Sequence, residues 1–178
     1  MPINPAEVAH RAASDAELVA WVDAHDQLLG ALPRAELRER GLIGRCTFIL
    51  LFNRAGELCV HRRTLSKALY PGYWDVAAGG MVGYLESYED SAARELEEEL
   101  GVSGVALRFH EKFHFDQPGN RLWCAVFSAV WDGPLRLQPE EVMEARFMPV
   151  AQAQQESARL PYCPDSLVAL QRYLANTV

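Results

Sequence analysis

This sequence has few of the features that mark a secreted, membrane-spanning or nucleic-acid-binding protein. Its four cysteines, Cys46, Cys59, Cys124 and Cys163, are scattered, with no C-x-x-C pair. That spacing argues against a zinc site or a disulfide framework, so free thiols in a reducing cytoplasm are expected. The longest apolar run, near Thr47–Phe52, is far shorter than the roughly 20 residues needed to cross a bilayer. The opening MPINPAEVAHRAASDAE has no basic-then-apolar pattern, so no signal peptide is expected. Basic charge is scarce too: 17 Lys and Arg against 24 Asp and Glu give a net charge of −7. Nucleic-acid binding driven by overall charge is therefore not expected, although local cations or a metal ion would still allow phosphate binding. No repeat, linker or low-complexity stretch interrupts the chain.

What is present suits one domain. A chain of 178 residues, 49% apolar and 23% charged, can bury a core but is short for two domains. Residues 1–15 are weakly patterned and are expected to be a flexible tail, with a single domain over 16–178. Trp21 to Leu37 is expected to hold two strands, with polar Asp23–Gln27 between them, and residues 34–41 a helix ending on glycine. Cys46–Phe52 and Leu58–Arg62, joined by an Asn-Arg-Ala-Gly turn, form a predicted hairpin. Trp74–Ala78 is a predicted short strand entering Gly79-Gly80. Further β-like runs span 105–115, 122–130 and 145–150, and an amphipathic helix begins at Pro164 with Leu167, Leu170 and Leu174 on one stripe. The pattern predicts an α+β domain with a mixed sheet and helices packed on it.

The segment from Gly80 to Val102, GMVGYLESYEDSAARELEEELGV, carries most of the chemical information. Ser87 is an N-cap candidate with Asp90 in capping-box register, and Gly101 suits a helix C-terminus. A helix between them would turn by about 100° per residue and gather Glu95, Glu98 and Glu99 within roughly 100° of arc. Ala92, Ala93, Leu96 and Leu100 would face the other way. Two readings stand level on the residues alone: a solvated acidic face, or a site for a hard cation that relieves the crowded carboxylates. No lysine stands four residues on from any of the three, and the helix C-terminus disfavours negative charge.

The same segment resembles the Nudix box, G-x5-E-x7-R-E-U-x-E-E-x-G-U with U aliphatic. Gly80, Glu86, Arg94, Glu95, Leu96, Glu98, Glu99, Gly101 and Val102 match every specified position. The resemblance implies a Nudix α/β/α sandwich. It also implies a hydrolase that uses Mg²⁺, or Mn²⁺, to cleave a diphosphate in a nucleoside diphosphate linked to another moiety. On that pattern Glu95, Glu98 and Glu99 would hold the metal, with the Gly79 carbonyl as a further ligand. Glu98 or Glu99 would orient or deprotonate the attacking water. An ion pair of Arg94 with Glu86 would fix the glutamate rotamers from behind. Glu97 falls at an unspecified position and is expected to be solvated.

Outside the box, HRRTLSKALYPGYWD and EEVMEARFMPV resemble the isopentenyl-diphosphate isomerase branch of the same fold. That likeness makes Arg62, Arg63 and Lys67 the expected phosphate-binding cations, since Arg forks match phosphate geometry. The isomerase activity does not follow, because Gly79-Gly80-Met81 stands where that enzyme has Cys-Gly-His. An isoprenoid-diphosphate isomerase or a nucleotide-binding module is the alternative. Glu140, Glu141 and Glu144 lie where many Nudix enzymes carry an extra glutamate, and Glu141 is the favoured candidate for a base or ligand. His61, His114, Trp74, Trp123 and Tyr84 are more readily explained as strand or core residues than as site residues. Specificity is expected in the loops 65–73, 117–121 and 132–141. The expected partner is a small diphosphate substrate, the expected assembly a monomer or homodimer, and the expected location the cytoplasm.

Overall fold

A computed structural model describes residues 4–177. Helix α1 (Pro5–Ala16) leads into strands β1 (Leu18–Val22) and β2 (Leu28–Pro33) and helix α2 (Arg34–Glu39). Strands β3 (Ile43–Phe52), β4 (Leu58–Arg63) and β5 (Trp74–Asp75) precede helix α3 (Tyr88–Leu100). Strands β6 (Arg108–Gln117), β7 (Asn120–Val130) and β8 (Val142–Met148) and helices α4 (Val150–Ser157) and α5 (Pro164–Asn176) complete the chain.

The eight strands form one mixed sheet. Its centre is β3, which runs parallel to β7 over the whole register from Gly44↔Leu122 to Phe52↔Val130. This pairing accounts for the nearly continuous apolar sequence of β3, since a central strand is covered on both faces. Alternate residues of β3 serve two cores. Cys46, Phe48 and Leu50 face the side packed by Ala153 of α4 and by Ala169 and Leu170 of α5. Ile49 and Leu51 face Ala92, Leu96 and Leu100 of α3. Helices thus cover both faces, and the architecture is the α/β/α sandwich expected of a Nudix fold.

One departure from a regular sheet positions the site. Strands β3 and β4 pair only at Phe52↔Leu58 and then diverge. The chain from Ala78 to Val82 fills the gap along β3. Ile49 and Ala78 exchange backbone hydrogen bonds of 2.7 and 3.1 Å, Thr47 N–H donates to the Gly80 carbonyl at 3.0 Å, and Val82 N–H donates to Arg45 at 2.9 Å. Gly79 is fixed against the strand: its φ is +150°, and a Cβ there would lie 1.8 Å from the Thr47 carbonyl oxygen. Only glycine fits such a backbone without remodelling.

Several boundaries differ from expectation. The segment expected as a tail is helical from Pro5, because Asn4 caps it by accepting hydrogen bonds from Ala6 and Glu7 N–H and Pro5 occupies the first turn. Residues 1–3 of that expected tail lie outside the described residues. Helix α4 was not anticipated; it is short, polar and buries only Ala153, so its apolar periodicity is weak. Strand β8 starts at Val142 and ends at Met148, displaced from the expected 145–150 run. Ala93, expected to face the core, is exposed, and Ala92, Leu96 and Leu100 do the packing.

Candidate active site

The ends of α3 follow from local chemistry. Ser87 accepts a hydrogen bond from Asp90 N–H at 3.0 Å, and Gly101 terminates the helix with φ +68°. Between these caps the three glutamates do not share one environment. Glu98 is half exposed, Glu95 retains 13% side-chain exposure and Glu99 is buried. Glu95 packs directly over Gly80, where a Cβ would stand 2.5 Å from its Oε1. Glu99 Oε2 accepts from Gly79 N–H at 3.2 Å and lies 4.0 Å from His61 Nε2.

Arg94 organises this wall. It donates twice to Glu86 at 2.9 Å, and also to Glu95 at 2.8 Å and to Glu98 at 3.1 Å. The expected pair with Glu86 is therefore present, but the guanidinium also spans two of the three proposed ligands. Among the described residues no three His, Cys, Asp or Glu side chains are gathered closely enough to hold a metal ion.

The donor set nevertheless fits a hard cation. Burial pushes the Glu95 carboxyl up to about 7, against the pull of Arg94. Burial, and next the charge of Glu141, push Glu99 well above the usual carboxylate range. A buried carboxylate and a partly exposed one, both pushed toward the neutral form, are groups a divalent cation would stabilise. The Gly79 carbonyl accepts no hydrogen bond among the described residues. An all-oxygen set of this kind suits Mg²⁺ or Mn²⁺.

The acidic wall opens on a cavity of about 410 Å³. Glu95, Glu98, Gly79 and Gly80 line it, and so do Arg34, Arg38, Arg63 and Lys67. A pocket lined by both carboxylates and cations can accept an anion and its counter-cation together. Glu141 also lines it, but its carboxylate is held by Lys67 Nζ and by His10 Nε2 at 2.7 Å. Burial works to raise the Glu141 pKa, yet Lys67 and His10 hold it far below the ordinary value. Arg63 is partly buried, donating to the Leu69 carbonyl at 3.0 Å and lying 3.5 Å from Asp75.

Arg62 is not brought to this cavity. It donates to the Gly72 carbonyl at 3.1 Å and faces Glu144 at 3.8 Å, because neighbouring residues of a strand point to opposite faces. Glu140 lines the cavity and Glu144 does not. His114 stacks on Trp123 at 5.4 Å and Trp74 on Tyr162 at 6.4 Å, both away from the cavity. Burial pushes His61 down to about 4, so it is neutral.

Several lining residues are absent from the sequence-based expectation. His10 lies in the segment expected as a tail, and Arg34 and Arg38 in a segment expected only as a helix. Their spacing of four, one helical turn, was the available signal. The loops 65–73 and 117–121 supply Tyr70 and Asn120.

The NUDIX domain profile matches residues 42–168. An uncharacterized Nudix hydrolase of Pseudomonas aeruginosa, PA4841, is 73% identical over 167 residues, covering 94% of this chain and 99% of that one. An uncharacterized Nudix hydrolase of Escherichia coli K12, YfcD, is 37% identical over 90% of this chain and 88% of its own length. Among solved structures, DR0079 of Deinococcus radiodurans superposes with a TM-score of 0.74 at 24% identity, over 87% of this chain and 98% of that one. The NUDIX domain of Shewanella oneidensis NrtR, solved with ADP-ribose, superposes with a TM-score of 0.61 at 16% identity, over 83% and 100% of the two chains. At these identities the structural likeness concerns the fold.

Proposed function

The chain belongs to the Nudix family and is a pyrophosphohydrolase acting on a small molecule, and from that premise we propose that it cleaves a nucleoside diphosphate linked to another moiety, using Mg²⁺ or Mn²⁺. The observation that carries this reading is that one cavity is lined by Glu95 and Glu98 together with Arg34, Arg63 and Lys67, while Glu99 is held on the N–H of the lining residue Gly79. Glu95, Glu98, Glu99 and the Gly79 carbonyl would hold the ion. Bound there, the metal supplies charge neutralisation at the phosphate oxygens and lowers the pKa of a coordinated water.

The chain's own residues divide the remaining tasks. Glu98, half exposed and lining the cavity, is best placed to take the proton of the attacking water. Glu99, buried and oriented by Gly79 N–H, suits a ligand role. Arg94, itself lining the cavity, braces Glu95 and Glu98 and is held in turn by Glu86. Lys67 and Arg63 would receive phosphate oxygens. Glu141 serves as a base only once the Lys67 pair has opened, for instance by the lysine turning to the phosphate.

The isoprenoid isomerase alternative is disfavoured by Gly79. The position that would carry the thiol cannot hold a Cβ beside Thr47. The test is a Mg²⁺-supplemented screen of diphosphate compounds, ADP-ribose among them, run with Glu98→Gln and Glu99→Gln. Each variant should lose at least about a hundredfold in kcat, the scale for removing a proton acceptor or a metal ligand. Full activity in both would defeat the assignment.

A further inference from the structure

The acidic wall accounts for the diphosphate and leaves the attached group undefined. Another part of the same cavity is lined by Tyr70, Asn120 and Asp165. Asn120 and Asp165 are 4% and 9% exposed. The Asn120 amide nitrogen donates to Asp165 Oδ2 and to the Tyr70 hydroxyl oxygen, both at 3.0 Å. Asp165 Oδ1 in turn accepts from Ser166 N–H at 2.9 Å.

These contacts determine which polar atoms remain for a ligand. Facing a carboxylate, the amide must present its NH₂ group, which settles its flip. Its two N–H donors are then both used, and the Asn120 Oδ1 oxygen takes no hydrogen bond among the described residues. The Tyr70 hydroxyl accepts from Asn120, and its own proton has no acceptor among them. Burial holds this phenol above its ordinary pKa, so the proton stays in place. The wall therefore offers one acceptor and one donor, linked by the Asn120–Tyr70 contact and locked by Asp165.

Resting on the diphosphatase reading above, we propose that Tyr70 and Asn120, oriented by Asp165, form a recognition subsite for a neutral donor-and-acceptor group on the substrate, the chemistry of a ribose diol or a nucleobase edge. A prenyl chain would leave Asn120 Oδ1 and the Tyr70 proton buried without partners. A site built around such atoms rejects the ligand lacking them more strongly than an apolar pocket rejects an extra hydroxyl.

The experiment measures binding by calorimetry in the unsubstituted protein with Ca²⁺ in place of Mg²⁺, which keeps every metal carboxylate intact while suppressing turnover. The ligands are the four ribonucleoside 5′-diphosphates, their 2′,3′-dideoxy counterparts and geranyl diphosphate. At least one ribonucleoside diphosphate should bind about tenfold more tightly than geranyl diphosphate. Adding Tyr70→Phe should weaken that ligand about tenfold and leave geranyl diphosphate unchanged. Asn120→Leu should do the same, and Tyr70→Phe, which removes one atom, keeps the test valid if Asn120→Leu fails to fold. Loss on the dideoxy ligand assigns the diol, and dependence on the base assigns the base edge. Affinities within twofold across the variants, tighter binding of geranyl diphosphate, or no binding of any nucleotide would overturn the subsite. The two proposals fail separately. Tyr70-dependent binding without hydrolysis by the unsubstituted protein sinks the reaction alone, and hydrolysis indifferent to Tyr70 sinks the subsite alone.

Discussion

Gly80→Ala tests how closely the metal wall is fitted to its backbone. Gly80 does not have the positive φ that would itself require glycine, so alanine is not excluded by conformation. The new methyl group would instead stand 2.5, 2.6 and 2.8 Å from Oε1, Cδ and Oε2 of Glu95. An ordinary contact needs about 3.4 Å or more, so the carboxylate must withdraw by roughly 1 Å. It sits at the end of a flexible side chain, so the fold should survive with a stability change within about 1 kcal/mol. A displacement of that size at a reacting centre costs on the order of a hundredfold in rate, or about 2.7 kcal/mol of transition-state stabilisation. The assay pairs kcat at saturating Mg²⁺ with Mn²⁺ binding followed by electron paramagnetic resonance, and adds a thermal melt. The expected result is a near-normal melt, weakened Mn²⁺ binding and a kcat lowered about a hundredfold. Gly79→Ala is the contrasting control. Its methyl group meets the Thr47 backbone at 1.8 Å, so it should fail at folding rather than at catalysis. Unchanged Mn²⁺ affinity and unchanged kcat in a folded Gly80→Ala protein would refute the placement of Glu95.

Two further outcomes follow from groups outside the site. Burial tends to raise the Asp26 pKa, but hydrogen bonds from Lys112, Arg45 and Tyr88 outweigh it and hold the carboxyl below its ordinary value. The stabilisation is therefore present above the unfolded pKa of about 3.9 and is lost as pH falls through the lower folded value. Asp26→Asn should cost about 2 kcal/mol at pH 7 in chemical denaturation, with the gap to the unsubstituted protein closing below about pH 4. A gap that does not change between pH 7 and the acid limit of the folded protein would count against this. The four cysteines are buried, and burial raises Cys59 to about 12 and Cys163 higher still. Titration with a thiol-specific disulfide reagent should find all four unreactive in the folded protein and all four reactive in denaturant; rapid labelling without denaturant would contradict their placement.

How much was legible depended on whether chemistry was local in sequence. The caps Ser87 and Gly101, the turn of α3 and the spacing of Glu95, Glu98 and Glu99 lie within one segment, and the structure agrees with them. The contrast between exposed Glu98 and buried Glu99 was not legible, because it arises from β4 and His61, far away in the chain. Arg94 lies four residues before Glu98, so their contact is readable from the spacing; a cation on the N-terminal side also pairs across one turn. Arg62 and Arg63 looked equivalent as neighbours, and the two faces of β4 separated them. His10 was the hardest to foresee. Its partner Glu141 is 131 residues away, and the apolar positions of α1 are mostly alanines that bury nothing, so little marks the helix as part of the fold.

Helix α1 carries a further consequence. It buries no residue, yet its last turns wall the cavity. Its ties are polar: His10 to Glu141 at 2.7 Å, Arg34 to Ser14 at 2.9 Å and Arg38 to Asp15 at 3.2 Å. Contacts of this kind between partly exposed groups weaken as the Debye length shrinks, from about 10 Å at 0.1 M salt to about 3 Å at 1 M, whereas the apolar cores on either side of the sheet do not. The Arg38–Asp15 ion pair is the contact most open to such screening, so α1 should be held less firmly at high ionic strength than the sheet it leans on.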